Sequence, residues 1–281
     1  MTPTGRPLLV IDGDSFAHRA YHSVPKSVTR AGGRGGNAIV GFANTLLRLY
    51  EAERPRAVIV GWDTLDAPTY RHLALPDYQS GREFEPSIVE QLAALPELVE
   101  ACGFIACKAA GFEADDFLAA AVAQEEARGG SVIVASGDRD AFQLASESTT
   151  ILHPIKGGEL LRIGPAEVRE RYGVAPAQVP DFIALRGDPS DRIPGARGVG
   201  AVTAASLLKR YPDLEAALAD GKFEAQADDL RLYRRVATMN PEAPVPPTIA
   251  DQEPTWGRGA ALLEAWEMPR LADRLRQLAG G

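Results

Sequence analysis

Cysteine is nearly absent from this chain: 281 residues contain only Cys102 and Cys107. Two thiols are too few for a disulfide framework or a four-ligand zinc site, and two buried free thiols are expected instead. Long hydrophobic runs are missing as well. The N-terminal stretch has an apolar run of only residues 8–11 before its first carboxylate. Neither a signal peptide's apolar core nor a membrane span is therefore expected, and a soluble cytoplasmic protein is. The chain also lacks basic excess, with 30 Lys and Arg against 38 Asp and Glu and a net charge of −8. Taken alone, that balance disfavours a nucleic-acid partner, because phosphate contacts call for basic surfaces. What is present is ordinary globular composition, 45% hydrophobic and 24% charged. It excludes disorder and suffices for one large domain or two small ones.

Short apolar or β-branched runs at 8–11, 57–60, 104–106 and 131–135 alternate with longer segments of helical periodicity at 36–53, 86–101 and 113–128. This alternation predicts an α/β fold, a parallel sheet flanked by helices, with ligands beyond the carboxyl ends of the strands. From about residue 164 the pattern turns to Ala/Leu/Arg-rich helical stretches at 165–172, 177–186, 199–211, 214–218 and 230–238. Two domains are expected, an α/β core over 1–175 and a smaller helical domain over 176–281. Five prolines between 240 and 254 make an extended connection to a final helical piece over 260–278.

Carboxylates recur at one edge of the expected sheet. The first strand runs into Asp12, the second into Asp63, and the run 131–135 into Asp138 and Asp140. The helix beginning near Phe112 carries Glu113, Asp115 and Asp116 in its first turn, and the helical domain adds Asp188 and Asp191. Each cluster alone has an ordinary explanation as a turn, cap or helix-dipole partner. Nine acids converging would repel one another strongly, and hard divalent cations are the usual remedy. Without His or Cys in the set, magnesium or manganese is favoured over zinc. Two such ions roughly 4 Å apart are the standard device for in-line displacement at phosphorus, so phosphate-ester hydrolysis is expected.

Residues 15–50 contain no acid while Arg19, Lys26, Arg30, Arg34 and Arg48 are basic; 192–210 likewise lacks acids and holds Arg192, Arg197, Lys209 and Arg210. Both stretches adjoin carboxylate clusters, which favours phosphate binding over a merely solvated face. Gly195, Gly198 and Gly200 precede the apolar segment TAASLL. Glycines there let backbone N–H groups approach a phosphate at a helix N-terminus, in a helix-hairpin-helix-type element over about 185–240 that grips duplex DNA without reading bases.

In combination these motifs resemble the bacterial 5′ nuclease family, the flap endonuclease/5′-3′ exonuclease domain found at the N-terminus of DNA polymerase I and as free-standing proteins. The resemblance covers roughly residues 7–240. It rests on LLVIDGDS with HRAYH, Asp63 with Tyr70-Arg71-His72, Gly111-Phe-Glu-Ala-Asp-Asp116, Ala135-Ser-Gly-Asp-Arg-Asp140, and Leu185-Arg-Gly-Asp-Pro-Ser-Asp191 running into IPGARGVG. It implies a PIN-like nuclease core and a metal-dependent enzyme of replication and repair, acting on nicked, flapped or branched duplex DNA with a free 5′ end. Asp12, Asp63, Glu113, Asp115 and Asp116 would form one metal site, and Asp138, Asp140, Asp188 and Asp191 a second. Asp12, Asp63, Asp138 and Arg82 would be catalytic. DNA contacts would come from Arg19, Tyr21, Tyr78, Arg192, Gly195, Arg197, Gly198, Gly200, Lys209 and Arg210, with a potassium ion at the glycine-rich turn. A monomer working beside a DNA polymerase is the implied setting.

The chain departs from the family pattern at Tyr78-Gln79-Ser80-Gly81-Arg82, where Gln79 stands in place of a lysine that approaches the scissile phosphate. The expected arch over 76–95 offers only Arg82 against Asp77, Glu83, Glu85 and Glu90. An acidic arch funnels a single strand poorly, so exonuclease or nick-proximal cleavage is expected ahead of long-flap threading. Two other readings compete. A non-catalytic junction-binding relative would gain nothing from nine clustered acids near phosphates. A haloacid-dehalogenase-type phosphatase with Asp12 as nucleophile would leave the Glu113–Asp116 cluster and the glycine turn unexplained.

Overall fold

Adjacent residues of β1 (Leu8–Asp12) serve two different cores. Leu8 and Val10 lie in one apolar cluster, Leu9 and Ile11 in the other, as the two-residue period of a strand buried on both faces requires. The computed structural model describes residues 5–280; residues 1–4 and 281, the outer limits of the two expected domains, lie outside the described residues.

The first helix, α1 (Gly13–Ser23), follows β1 directly. A small antiparallel pair, β2 (Thr29–Arg30) and β3 (Arg34–Gly35), leads into α2 (Asn37–Glu53) and β4 (Ala57–Gly61). Then come α3 (Tyr70–Ala74), α4 (Pro86–Ala101), β5 (Ile105–Cys107), α5 (Ala114–Ala127), β6 (Val132–Ala135), β7 (Thr149–Pro154) and β8 (Leu160–Ile163). The six-stranded sheet has the order β5-β4-β1-β6-β7-β8. All neighbours pair in parallel except β7 and β8, which form an antiparallel hairpin. The expected wholly parallel sheet is therefore mixed at one edge. The turn carries Gly157 and Gly158, both at positive φ, a hairpin signal between two apolar runs.

One face of the sheet is covered by α5 and merges with a helical region. That region contains α6 (Pro165–Tyr172), α7 (Val179–Arg186), α8 (Ala201–Arg210), α9 (Leu214–Ala219) and α10 (Ala227–Ala237). The other face is covered by α1, α2 and α4 together with α11 (Trp256–Ala265) and α12 (Pro269–Ala279). The expected single helical piece over 260–278 is thus two helices. They part at Met268-Pro269, where proline opens a new helix and cannot continue the old one. They also return to the sheet: Trp256, Leu263, Leu271 and Leu275 are buried in the same cluster as Leu92 and Val99 of α4. The proline-rich strap between α10 and α11 crosses beside β4, where Gln252 Oε1 accepts a 2.8 Å hydrogen bond from the Val58 N–H.

The expected arch over 76–95 is largely absorbed by α4. Ile88, Leu92 and Leu95 are buried, and Gln91 Oε1 accepts from the Ala38 N–H at 2.8 Å. Apolar residues at three- and four-residue spacing make 86–95 a core helix, leaving only the loop at 75–85 to overhang the site. Cys102 and Cys107 are buried and unpaired, as expected. Among the described residues no helix is long and apolar enough to cross a membrane.

Candidate active site

At the carboxyl edge of the sheet, α1 starts with no intervening loop. A Cβ on Gly13 would sit 2.5 Å from the Trp62 ring, so only glycine lets α1 approach the strand end this closely. Asp12 caps that helix, its Oδ1 accepting from the Ser15 N–H at 2.9 Å, while Oδ2 accepts from the Ser136 hydroxyl at 2.7 Å. Ser136 Oγ in turn accepts from the Asp138 N–H at 3.0 Å, which ties the ends of β1 and β6 together. Burial pushes the Asp12 carboxyl up to about 7, against the pull of those two hydrogen bonds.

Asp63 lies two residues past β4, and its Oδ1 accepts from the Ala114 N–H at 2.7 Å, at the positive end of α5. Its own N–H donates to Asp14 Oδ2 at 2.7 Å. Asp14 stands in the IDGD motif but was not among the expected ligands. It is only 6% exposed, and burial together with the neighbouring Asp63 raises its carboxyl well above the usual range. The signal that could have found it is its position in the first turn after β1, on the same edge as Asp12.

Glu113 caps α5 and accepts from Thr69 Oγ1 at 2.8 Å and the Tyr78 hydroxyl at 3.0 Å; burial pushes it to about 7. Asp115 is half-buried, raised by burial, and its Oδ1 has no hydrogen-bond partner. Asp116 differs. It is fully buried and accepts from Tyr70, both Arg71 Nη atoms, Asn240 N–H and Glu113 N–H. With both oxygens engaged by the protein, Asp116 is the anchor of Arg71 in this structure.

Arg71 is the second residue without an expected role. It is 1% exposed, bonds to Asp116 at 2.8 and 3.0 Å, and lies 3.3 Å from Glu113 and 3.2 Å from Asp115. Its Nε donates to the Val236 carbonyl of α10 at 2.9 Å, so one side chain joins the acid cluster to the helical region. Burial alone would loosen its proton, but the three acids more than offset that.

The second expected group lies beyond β6 and α7. Asp138 is exposed and its Oδ1 accepts from the Asp140 N–H at 2.8 Å. Burial, then Asp138, Asp191 and Asp188, raise Asp140. Asp188 pairs with Arg186 at 2.9 Å. Asp191 accepts from Arg82 at 2.8 Å and Gln79 at 3.0 Å, and burial holds it at about 6. Gln79 Nε2 also donates to the Tyr78 hydroxyl, so the residue in the lysine position links both acid groups. A cleft of about 430 Å³ is lined by Asp63, Glu113, Gln79, Arg82, His72 and Phe84 among others; Asp12, Asp138, Asp140 and Asp188 lie outside its walls.

These residues fit a hard divalent cation by donor type: oxygen only, and Asp115 Oδ1 is buried without a hydrogen-bond donor, facing only the Arg71 guanidinium at 3.2 Å. Among the described residues no three acids are gathered closely enough to enclose an ion.

Two opposite-signed stretches of sequence turn out to neutralise each other. Glu85 pairs with Lys26 and also accepts from the Tyr21 hydroxyl, and Glu90 pairs with Arg30 and Arg34. The expected arch is therefore less acidic than its sequence, and the 15–50 stretch offers fewer free cations. Tyr21 and Tyr78, 2% and 3% exposed with their hydroxyls spent on Glu85 and Glu113, present no surface to DNA. Arg19, Arg192, Arg197, Gly198, Gly200, Lys209 and Arg210 are exposed. Gly195 is buried at φ 78, where a Cβ would meet Gly187 N at 2.5 Å; it shapes the turn from inside.

An acid-lined edge on a mostly parallel sheet, joined to helices that present a glycine-rich turn, is the architecture of a resolvase-like nuclease domain. The chain belongs to the 5′-3′ exonuclease family: residues 7–173 match the N-terminal resolvase-like domain and 174–256 the C-terminal SAM fold. It is 40% identical over 210 residues to DNA polymerase I of Mycobacterium tuberculosis (strain ATCC 25618 / H37Rv), covering 74% of this chain and 23% of that protein. It is 38% identical over 280 residues to the thermostable DNA polymerase I of Thermus aquaticus, covering 96% and 33%. The chain thus spans about a quarter to a third of the length of these curated relatives. Its fold is like that of the bacteriophage T5 flap endonuclease in a pseudo-enzyme-product complex with DNA and metal ions. There the TM-score is 0.69 at 18% identity, over 98% of this chain and 100% of that one. The catalytic core of Rad2 with DNA substrate gives 0.61 at 13%, over 96% and 90%.

Proposed function

We propose that this chain is a metal-dependent 5′-3′ exonuclease and structure-specific 5′ flap endonuclease, hydrolysing phosphodiesters of nicked, flapped or branched duplex DNA that has a free 5′ end. One observation carries the reading. Asp12, Asp14 and Glu113 are buried and Asp63 and Asp115 half-buried on one sheet edge, yet among the described residues only Arg71 forms ion pairs with any of them. Burying that much like charge is unfavourable unless a bound cation offsets it.

Asp12, Asp63, Glu113 and Asp115 would surround one hydrated divalent ion, only some of them binding it directly and the others through water, with Asp138, Asp140, Asp188 and Asp191 disposed around a second. Magnesium or manganese bound there would supply an activated water and stabilise the leaving oxygen. Ser136 keeps Asp12 and the Asp138 turn in register, and Asp14 fixes the backbone at Asp63. Arg82, at the mouth of the cleft, is the cation placed to meet the scissile phosphate on release from Asp191. Gln79 brings no charge to the same place, so hydrolysis would rely on Arg82 and the metal ions. The turn around Gly195, Gly198 and Gly200 would bind the duplex backbone and a potassium ion. The same reading makes the chain a cytoplasmic monomer acting beside a DNA polymerase.

The test is incubation with a 5′-labelled nicked or flapped duplex in Mg²⁺ or EDTA, alongside a small phosphomonoester. Metal-dependent release of 5′-terminal products is expected. Binding without cleavage would favour the junction-binding relative, and turnover of the monoester alone the phosphatase.

A further inference from the structure

Beside the acid edge lies a second, oppositely charged feature. A groove of about 780 Å³ is lined by Arg19, Arg139, Lys156 and Arg171, together with the half-buried Tyr172 and the buried His153, and has no acidic residue in its walls. Its position is set by the fold. Gly137 and Arg139 flank Asp138 just past β6, and Lys156 leaves the end of β7, whose Leu152 pairs with Ala135 of β6. Arg171 comes from the last turn of α6. Arg19 is anchored across the groove, its Nη2 donating to the Pro154 carbonyl at 3.3 Å.

None of these four cations has a salt-bridge partner among the described residues, although Arg30, Arg56, Arg71, Arg82 and Arg186 do. Four unneutralised cations around one open groove repel each other and call for an anion. A single small anion would leave most of them unmatched. A chain of phosphates laid along the groove engages them together, and Gly137 and Arg139 in its wall are the two neighbours of Asp138.

We infer that this groove grips the sugar-phosphate backbone of DNA immediately beside the point of cleavage, as a second contact that shares no residue with the glycine-rich turn. The inference rests on the nuclease reading. It adds Arg139, Lys156 and Arg171 to the DNA-contacting set and places Arg19 in it on structural grounds. Held there, the backbone is kept against the acid edge by cations that counter the repulsion between phosphates and carboxylates.

The test is the salt dependence of binding to a nicked duplex in EDTA, where no cleavage occurs, for the wild type, Lys156→Gln/Arg171→Gln, and Arg258→Gln. Arg258 is exposed on α11 and has no salt-bridge partner among the described residues, so it controls for a general loss of charge. Each lost phosphate contact lowers the slope of log Kd against log salt by about 0.9. The double variant is expected to lose about 2 from the slope and to lose most of its affinity at low salt, its deficit narrowing roughly tenfold between about 50 and 200 mM salt. Arg258→Gln is expected to match the wild type. An unchanged slope in the double variant, or an equal drop with Arg258→Gln, overturns the groove. Parallel cleavage in Mg²⁺ keeps the two readings apart: wild-type cleavage with an unaltered double-variant slope sinks the groove alone, whereas a wild type that neither binds nor cuts sinks both.

Discussion

Replacing Arg71 with methionine tests the reasoning about the acid cluster most directly. The side chain is close in length, so packing is largely preserved, but the only cation that pairs with Glu113, Asp115 and Asp116 among the described residues is gone. Asp116, with no solvent exposure, would be stranded in a buried site, and the Val236 carbonyl would lose its 2.9 Å donor. Removing one partner of a buried ion pair costs about 3–5 kcal/mol, because the remaining charge is left uncompensated. For a chain of this size, at about 2–4 °C per kcal/mol, Tm should fall on the order of 10 °C. The measurement is thermal unfolding followed by circular dichroism, repeated across pH. The deficit should shrink as pH falls, since protonating the stranded carboxylate removes its need for a partner. Arg71→Met combined with Asp116→Asn should recover at least about 1 kcal/mol, a coupling expected between residues in one network. If Arg71→Met lies within about 1 kcal/mol of wild type at neutral pH, Arg71 is not what compensates the cluster.

Four further outcomes follow from the same geometry. Asp12, Glu113 and Asp191 hold their protons to about 7, 7 and 6 when folded, above their unfolded values, so the folded state binds more protons through that window. Metal-free stability should therefore decline as pH rises from about 4 to 7, and the Tm gain on adding Mg²⁺ should grow over the same range; a flat metal-free profile would contradict the assigned burial effects. Asp138→Asn should abolish cleavage while leaving duplex binding intact or tighter, and surviving cleavage would remove Asp138 from the catalytic set. Gln79→Lys should cut faster in a single-turnover assay, with an unchanged rate showing that Arg82 already supplies the needed charge. Gly195→Ala, forced to φ 78 with its Cβ 2.5 Å from Gly187 N, should cost about 2–3 kcal/mol and weaken duplex binding; wild-type stability would mean the turn is free to shift.

Some of this was legible from residue order because it is local. Runs such as LLVID and AVIVG are buried on both faces and read as strands without reference to anything distant. Asp12 at a strand end, Glu113 at a helix start and Gly195 in a glycine-rich turn are recognisable from their immediate neighbours in the sequence. The net charge of −8 resolves in the same way: without the nine expected site acids, 30 basic face 29 acidic side chains.

Pairings across long separations were decided only in three dimensions. Glu85 and Glu90 read as an acidic arch until α4 laid them against Lys26, Arg30 and Arg34, about 60 residues away. Asp116 became the anchor of Arg71 only where Tyr70, Arg71 and Asn240 closed around it, and Arg19 joined Arg139, Lys156 and Arg171 only because β6 and β7 end side by side. A sequence states which charges exist and in what local frame. Which of them cancel and which stay free for metal or phosphate depends on distances of a few ångströms, and packing alone sets those.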